Sequence, residues 1–120
     1  MTTDRTAVEA LLPLPPATFH ILLALVDGEQ HGYAIMREVR RSTDDAVRLG
    51  PGTLYRAVQS LLGKGLIEES SRRPAADEDQ RRRYYRLTAL GRRVLAAETQ
   101  RMALAVALAR AKRVPVPHPG

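Results

Sequence analysis

The chain has 120 residues, enough for one domain with a core of its own, and carries 19 basic against 13 acidic residues for a net charge of +6. It has no cysteine, which excludes disulfide frameworks, thiolate metal sites and a thiol nucleophile. The longest apolar runs, Ile21–Val26 and Met102–Ala109, fall far short of the roughly 20 residues that span a bilayer, and nothing in "MTTDRTAVE" resembles a secretion signal. A soluble, cytoplasmic protein with an anionic partner is expected.

In chain order, "MTTDRT" reads as a disordered start, and "AVEALLPLPP" as a short helix or extended arm cut by Pro13, Pro15 and Pro16. Residues 1–14 are thus expected to be a flexible arm whose leucines need a surface, for which a second subunit is a candidate. Pro15 or Pro16 suits the first turn of a helix, "ATFHILLALVDG", that is apolar almost all round and stops at Gly28. "EQHGYAIMREVRRSTDD" predicts a second helix with Tyr33, Ile35, Met36 and Val39 inward and Arg37, Glu38, Arg40 and Arg41 outward. "AVRLG" allows one brief strand.

Pro51 opens a third helix, in which Leu54, Val58, Leu61 and Leu62 repeat at helical spacing, and Gly63 or Gly65 can end it. Its other face carries Thr53, Tyr55, Arg56, Gln59, Ser60 and Lys64. Side chains of these types read base edges and phosphates, although many solvated helix faces look the same. "LIEESS" and "RRRYYRLT" predict a two-stranded hairpin around the polar loop "RRPAADEDQ". Arg72 and Arg73 close one side of that loop and Arg81, Arg82 and Arg83 open the other. They either reach a phosphate backbone or are neutralised by Asp77, Glu78 and Asp79. Tyr85 is expected in the core with Leu87, and Tyr84 against a helix or nucleic acid.

Thr88 is an N-cap for a long last helix over 88–113. Leu90, Val94, Ala97, Leu104 and Leu108 make one apolar stripe, interrupted by Arg101, and Leu95, Met102, Val106 and Ala109 make another. One small core cannot cover both, so a homodimer is expected. The prolines of "VPVPHPG" predict a disordered tail over 114–120.

His20, His31 and His118 show no metal-ligand spacing, and no nucleophile elbow, phosphate loop or buried carboxylate pair occurs. Neither catalysis, a metal nor a cofactor is expected. Charge is unevenly placed: one basic residue against four acidic over 1–30, six against three over 31–64, six against five over 65–87 and six against one over 88–120. All the basic residues but Lys64 and Lys112 are arginine, which suits bidentate phosphate contacts and also fits a plain compositional bias.

The expected class is mainly α with a small β-hairpin. The order is helix, helix, brief strand, helix, strand, charged loop, strand, long helix, which is that of a winged helix-turn-helix over 15–87.

"ILLALVDGEQHGYAIMREV", "RLGPGTLYRAVQSLLGKGLIEE" and "RRRYYRLTALGRRVL", in that order, resemble the PadR family of bacterial transcriptional regulators over roughly residues 17–98. The resemblance implies a dimeric repressor or activator that binds a pseudo-palindromic double-stranded operator through the third helix and wing. It also implies dimerisation through the first and last helices, which sets Phe19 and Leu22 at the interface with Leu90, Val94, Ala97, Leu104 and Leu108, often with control by a small aromatic or lipophilic effector. It places Tyr33, Thr53, Leu54 and Tyr55 near the DNA backbone and groove, and Arg82 and Arg83 at the wing base. The single C-terminal helix is similar to the short subfamily. Two departures stand out. Ser60 occupies a position where the family commonly has a basic residue, and there is no tryptophan to stack a planar drug, Phe19 being the only phenylalanine. A different class of protein, a winged helix docking an acidic protein partner, fits the same charge pattern, as does a sensor whose DNA affinity is secondary.

Overall fold

The computed structural model describes residues 2–115 and residue 117; the remainder of the expected tail, with His118, lies outside the described residues. Among the described residues, five helices and three short strands follow one another: α1 (Thr2–Glu9), α2 (Pro16–Ala24), β1 (Gln30–His31), α3 (Gly32–Ser42), α4 (Pro51–Gly63), β2 (Ile67–Glu69), β3 (Tyr84–Leu87) and α5 (Ala89–Ala111). The strands form an antiparallel sheet in the order β1-β3-β2, with Gln30 opposite Tyr85, His31 opposite Tyr84 and Ile67 opposite Leu87.

Proline at the first turn starts both α2 and α4, where a missing N–H leaves nothing unpaired. The turn of α4 into β2 closes with Gly65 at φ 74° and a bond from the Leu66 N–H to the Leu61 carbonyl, a left-handed stop that glycine takes without strain. Thr88 caps α5: its hydroxyl oxygen accepts from the Gly91 N–H at 3.0 Å while its O–H donates to the Gly65 carbonyl. The cap thereby ties the start of α5 to the end of α4.

Ile21, Leu22 and Leu25 of α2 meet Ile35 and Val39 of α3, Leu54, Val58 and Leu61 of α4, Ile67 and Leu87 of the sheet, and Val94 and Leu95 of α5 in one core. Each fully buried side chain of this kind contributes about 1.5–3 kcal/mol, so the helix-turn-helix and the sheet stabilise each other.

Several expectations are corrected. The start of the chain is helical: α1 lies against α5 and buries Val8, so the surface its apolar residues required is found within the same chain. Leu14 is buried too, and its N–H donates at 2.8 Å to the carboxylate of Glu98, itself only 1% exposed and paired with Arg101. The brief strand lies before α3 rather than after it. Gln30 and His31 find an unpaired edge on β3, whereas Asp44 and Asp45, at φ 50° and 66°, curl the chain after α3 and keep it from extending. The tyrosines are also corrected: Tyr84 is buried, under Arg72 and beside His31, while Tyr85 is half-buried at the core margin.

Candidate nucleic-acid interface

The helical period of α4 separates its two faces cleanly. Leu54, Val58 and Leu61 enter the core, and Thr53, Tyr55, Arg56, Gln59, Ser60 and Lys64 are all exposed on the other side. No carboxylate lies within ion-pair distance of Arg56 or Lys64 among the described residues. Gly50 stands at the N-cap without a side chain to bond the first-turn amides. Leu54, which the family resemblance set near the groove, is 6% exposed, and its Cδ2 lies so close to Gly32 that any larger residue there would crowd it. It seats α4 on α3 rather than facing outward.

Tyr33, expected inward from periodicity, is instead 59% exposed, because it occupies the first turn of α3 beyond the core stripe of Ile35 and Val39. The Arg37 guanidinium lies 5.4 Å from its ring centre. Tyr55 is 65% exposed one turn into α4. Between these tyrosines and the wing runs a groove of about 270 Å³, lined by Tyr33, Tyr55, Arg81, Arg83 and Tyr85 over a floor of Met36, Leu54 and Val58. Burial pushes the Tyr85 phenol above its ordinary pKa, so its O–H stays protonated at neutral pH.

The wing is organised by charge pairs. Arg81 bonds Asp79 at 3.1 Å, Arg82 bonds Glu78 at 2.9 Å, Arg83 bonds Glu69 at 3.3 Å and Arg86 bonds Glu68 at 2.9 Å. Glu78 also accepts the Ala75 N–H at 2.8 Å and the Tyr84 O–H at 3.4 Å, and the Ala75 bond is the main cause of its lowered carboxyl pKa. Asp79 is held low chiefly by its hydrogen bond from Arg81. Arg72 stacks on the Tyr84 ring at 4.5 Å, and Arg73 is exposed. Exposed pairs of this kind contribute little and exchange readily, so Arg81, Arg83 and Arg86 can turn to a phosphate at small cost, whereas the Arg82–Glu78 pair is half-buried.

His31 joins the wing to the helix-turn-helix. It pairs with Tyr84 in the sheet, meets that ring edge-on at 5.3 Å, and its Nδ1 accepts the Ala34 N–H at 3.2 Å as the N-cap of α3. Burial first, then Arg82, pushes its pKa below the ordinary imidazole value. The neutral ring is therefore the capping form.

The residues expected at a dimer interface divide. Leu22 and Val94 are wholly buried in this chain's own core, with no surface left to offer. Phe19, Leu90 and Ala97 are half-buried against that core, while Leu104 and Leu108 are each 60% exposed. A second groove, about 390 Å³, runs along α3 on the other side of Tyr33, past Arg37, Arg40 and Arg48 to Gly50. Sequence reasoning left Arg37 and Arg40 as solvated surface; the six-to-three excess of basic residues over 31–64 was the available signal.

Comparison with known proteins places this geometry. The profile described as the transcriptional regulator PadR-like family matches residues 21–97. An uncharacterised 37.1 kDa protein of transposon TN4556 from Streptomyces fradiae is 41% identical over 83 residues, which are 69% of this chain and 22% of that protein. The chain thus spans about a fifth of that relative. An uncharacterised protein X from Lysinibacillus sphaericus is 31% identical over 75 residues, 62% of this chain and 67% of its own. Among solved structures, a transcriptional regulator from Clostridium thermocellum superposes with a TM-score of 0.66 at 27% identity, over 79% of this chain and 87% of that one. A PadR family transcription regulator from Clostridium difficile gives 0.69 at 24%, over 83% and 100%. The fold is shared as well by Bacillus subtilis PadR, solved in complex with operator DNA, at 0.63 and 19%, over 90% of this chain and 54% of that one.

Proposed function

The chain belongs to the PadR-like family of transcriptional regulators, and we propose that it acts as a dimeric, sequence-specific DNA-binding repressor released by a small aromatic or lipophilic effector. In this reading α4 enters the major groove and the wing lies over the flanking backbone, with the two recognition helices of the dimer about one helical turn apart. Arg56 and Gln59 read base edges. Thr53, Tyr55, Ser60 and Lys64 flank them; Tyr33 and Arg72, Arg73, Arg81, Arg82 and Arg83 meet phosphates. The observation that carries the proposal is the outward face of α4, exposed and free of carboxylates, with its Tyr55 lining the groove shared with the wing.

Operator binding by Bacillus subtilis PadR supports the same use of the shared fold. Dimerisation is supported by the distal half of α5, where Leu104, Val106 and Leu108 stand exposed and Arg101 is engaged with Glu98 rather than with the apolar stripe.

The test is a gel shift on the DNA upstream of the protein's own gene, at physiological salt, followed by footprinting. Arg56→Ala or Gln59→Ala is expected to relax sequence preference, with about 1–3 kcal/mol of discrimination lost at the base pair concerned. Unchanged specificity in both variants sinks the base-reading assignment. Recovery of a stable complex with an acidic protein, with no specific shift, would favour a protein-docking winged helix instead.

A further inference from the structure

Three side chains connect the start of α3 to the tip of the wing. His31 stands just before α3, and its Nδ1 accepts the Ala34 N–H at 3.2 Å. Its ring meets that of Tyr84 edge-on at 5.3 Å, and the two residues pair in the sheet. Tyr84, only 3% exposed, donates its O–H in turn to Glu78 at 3.4 Å. Glu78 gathers the wing tip, because it also accepts the Ala75 N–H at 2.8 Å and the Arg82 guanidinium at 2.9 Å. The root of the wing converges on the same tyrosine. The Ser70 N–H donates to the Tyr84 carbonyl at 2.7 Å, and the Arg72 guanidinium lies over the Tyr84 ring at 4.5 Å. At the other end, a Cβ on Gly32 would stand 3.0 Å from Cδ2 of Leu54, so the first turn of α3 rests directly on α4. The wing and α4 are thus joined through one buried phenol and one imidazole.

That joint depends on the charge of the imidazole. A neutral ring offers the Nδ1 lone pair to the Ala34 N–H, whereas a protonated ring carries N–H on both nitrogens and loses the cap. It also sets a cation at a helix N-terminus, where the dipole opposes it. The surrounding charges add to this: Arg82 and Arg72 of the wing and Arg37 of α3 repel an imidazolium, and Glu78 attracts it. β1 is two residues long, so two backbone pairings are all that the sheet adds to keep His31 against Tyr84.

We infer that His31, Tyr84 and Glu78 form a pH-sensitive joint between the wing and α4: with His31 neutral the wing is held at a fixed angle to α4, and protonation of His31 frees it. The inference rests on the DNA-binding function proposed above and adds a regulation to it. A site that α4 and the wing must grip together loses affinity when the wing is freed, whereas a scrambled duplex, held by charge alone, does not. Preference for the site therefore falls with pH while affinity for other DNA is kept. Burial and Arg82 hold the His31 pKa below its ordinary value of 6.5, so the change belongs on the acid side of neutrality.

The experiment measures the affinity of the full chain for two duplexes, one carrying the upstream site and one of scrambled sequence, from about pH 8 to about pH 5 at constant ionic strength. The wild-type preference for the site is expected to fall several-fold across that range. His31→Asn keeps a capping side chain and does not titrate, so it should hold the high-pH preference throughout. Tyr84→Phe cuts the joint at Glu78. Its preference should be low at every pH, near the acid value of the wild type. Amide hydrogen exchange gives a second readout: in the wild type, protection of Ala34 and Ala75 should fall together as His31 takes up its proton, and in His31→Asn it should not. A site preference that does not change with pH in the wild type would overturn the joint and leave the DNA-binding function standing. A pH dependence that persists in His31→Asn would belong to His20 or His118 and overturn it as well, as would Ala34 losing protection while Ala75 keeps it. Wild-type protein that shifts neither duplex at any pH overturns the function itself, and this inference with it.

Discussion

Gly91 lies where α5 passes the start of β2, and a Cβ built on it would collide with the Leu66 carbonyl oxygen, which is fixed by the Thr88 N–H. Alanine is the better helix former by about 1 kcal/mol, yet here backbone contact outweighs propensity. Gly91→Ala is therefore expected to destabilise the fold by about 1–3 kcal/mol, read as a lower urea midpoint at unchanged slope. His31 makes a second residue-scale prediction. Its folded-state pKa lies below the unfolded value of 6.5, pushed there by burial and Arg82, with Arg37 and Arg72 acting in the same direction and Glu78 against them. As pH falls through 6.5 the unfolded chain takes up the proton before the native one does, so this group's contribution to stability drops until the native pKa is passed and then levels. His31→Asn, which keeps a capping side chain and does not titrate, should flatten the fall in melting temperature between pH 7 and 5 relative to wild type. An unaltered pH profile would remove His31 as its cause.

At the scale of elements, the segment from Val8 to Leu14 shows how one buried charge organises a whole arm. Glu98 accepts the Leu14 N–H and the Arg101 guanidinium, and the Arg101 bond is the main cause of its lowered pKa. Glu98→Ala leaves the Leu14 N–H without its acceptor beneath a docked arm, at a cost of about 1–3 kcal/mol. Faster hydrogen exchange through α1 and Leu14, with α3 and α4 unchanged, is the expected signature. Exchange that rises equally everywhere would mean that α1 is not a separable layer. The elements that periodicity located well were α4 and α5, each with a proline, a threonine cap or a glycine at its end and apolar residues at helical spacing. β1 has two residues and no alternation to read, and its existence depends on the edge of β3, 53 positions further on at Tyr84. Tyr33 was misplaced for a related reason: a first-turn residue can satisfy a helical period and still lie past the end of the core.

For the whole molecule, the radius of gyration of 16.1 Å exceeds the roughly 14 Å of a compact chain this long, because the distal half of α5 projects beyond the core. Among the described residues no helix is long and apolar enough to cross a membrane. We propose a second copy of the chain as the cover of the exposed leucines of that projection. Leu104→Glu with Leu108→Glu is expected to give a folded monomer by light scattering at micromolar concentration, with unchanged helix content and much weaker operator binding. A wild-type chain that is already monomeric would sink the dimer. Local chemistry written along the chain was enough for the proline starts of α2 and α4, the core face of α4 and the cap of α5, and the motifs from Ile21 onward carried the family. Contacts between distant residues decided that Leu22 and Val94 are spent on one chain's core and that Arg83 and Arg86 pair with Glu69 and Glu68 across the sheet. A side chain's type and spacing set what it can bind, but burial and pairing depend on which neighbours the fold brings within a few ångströms.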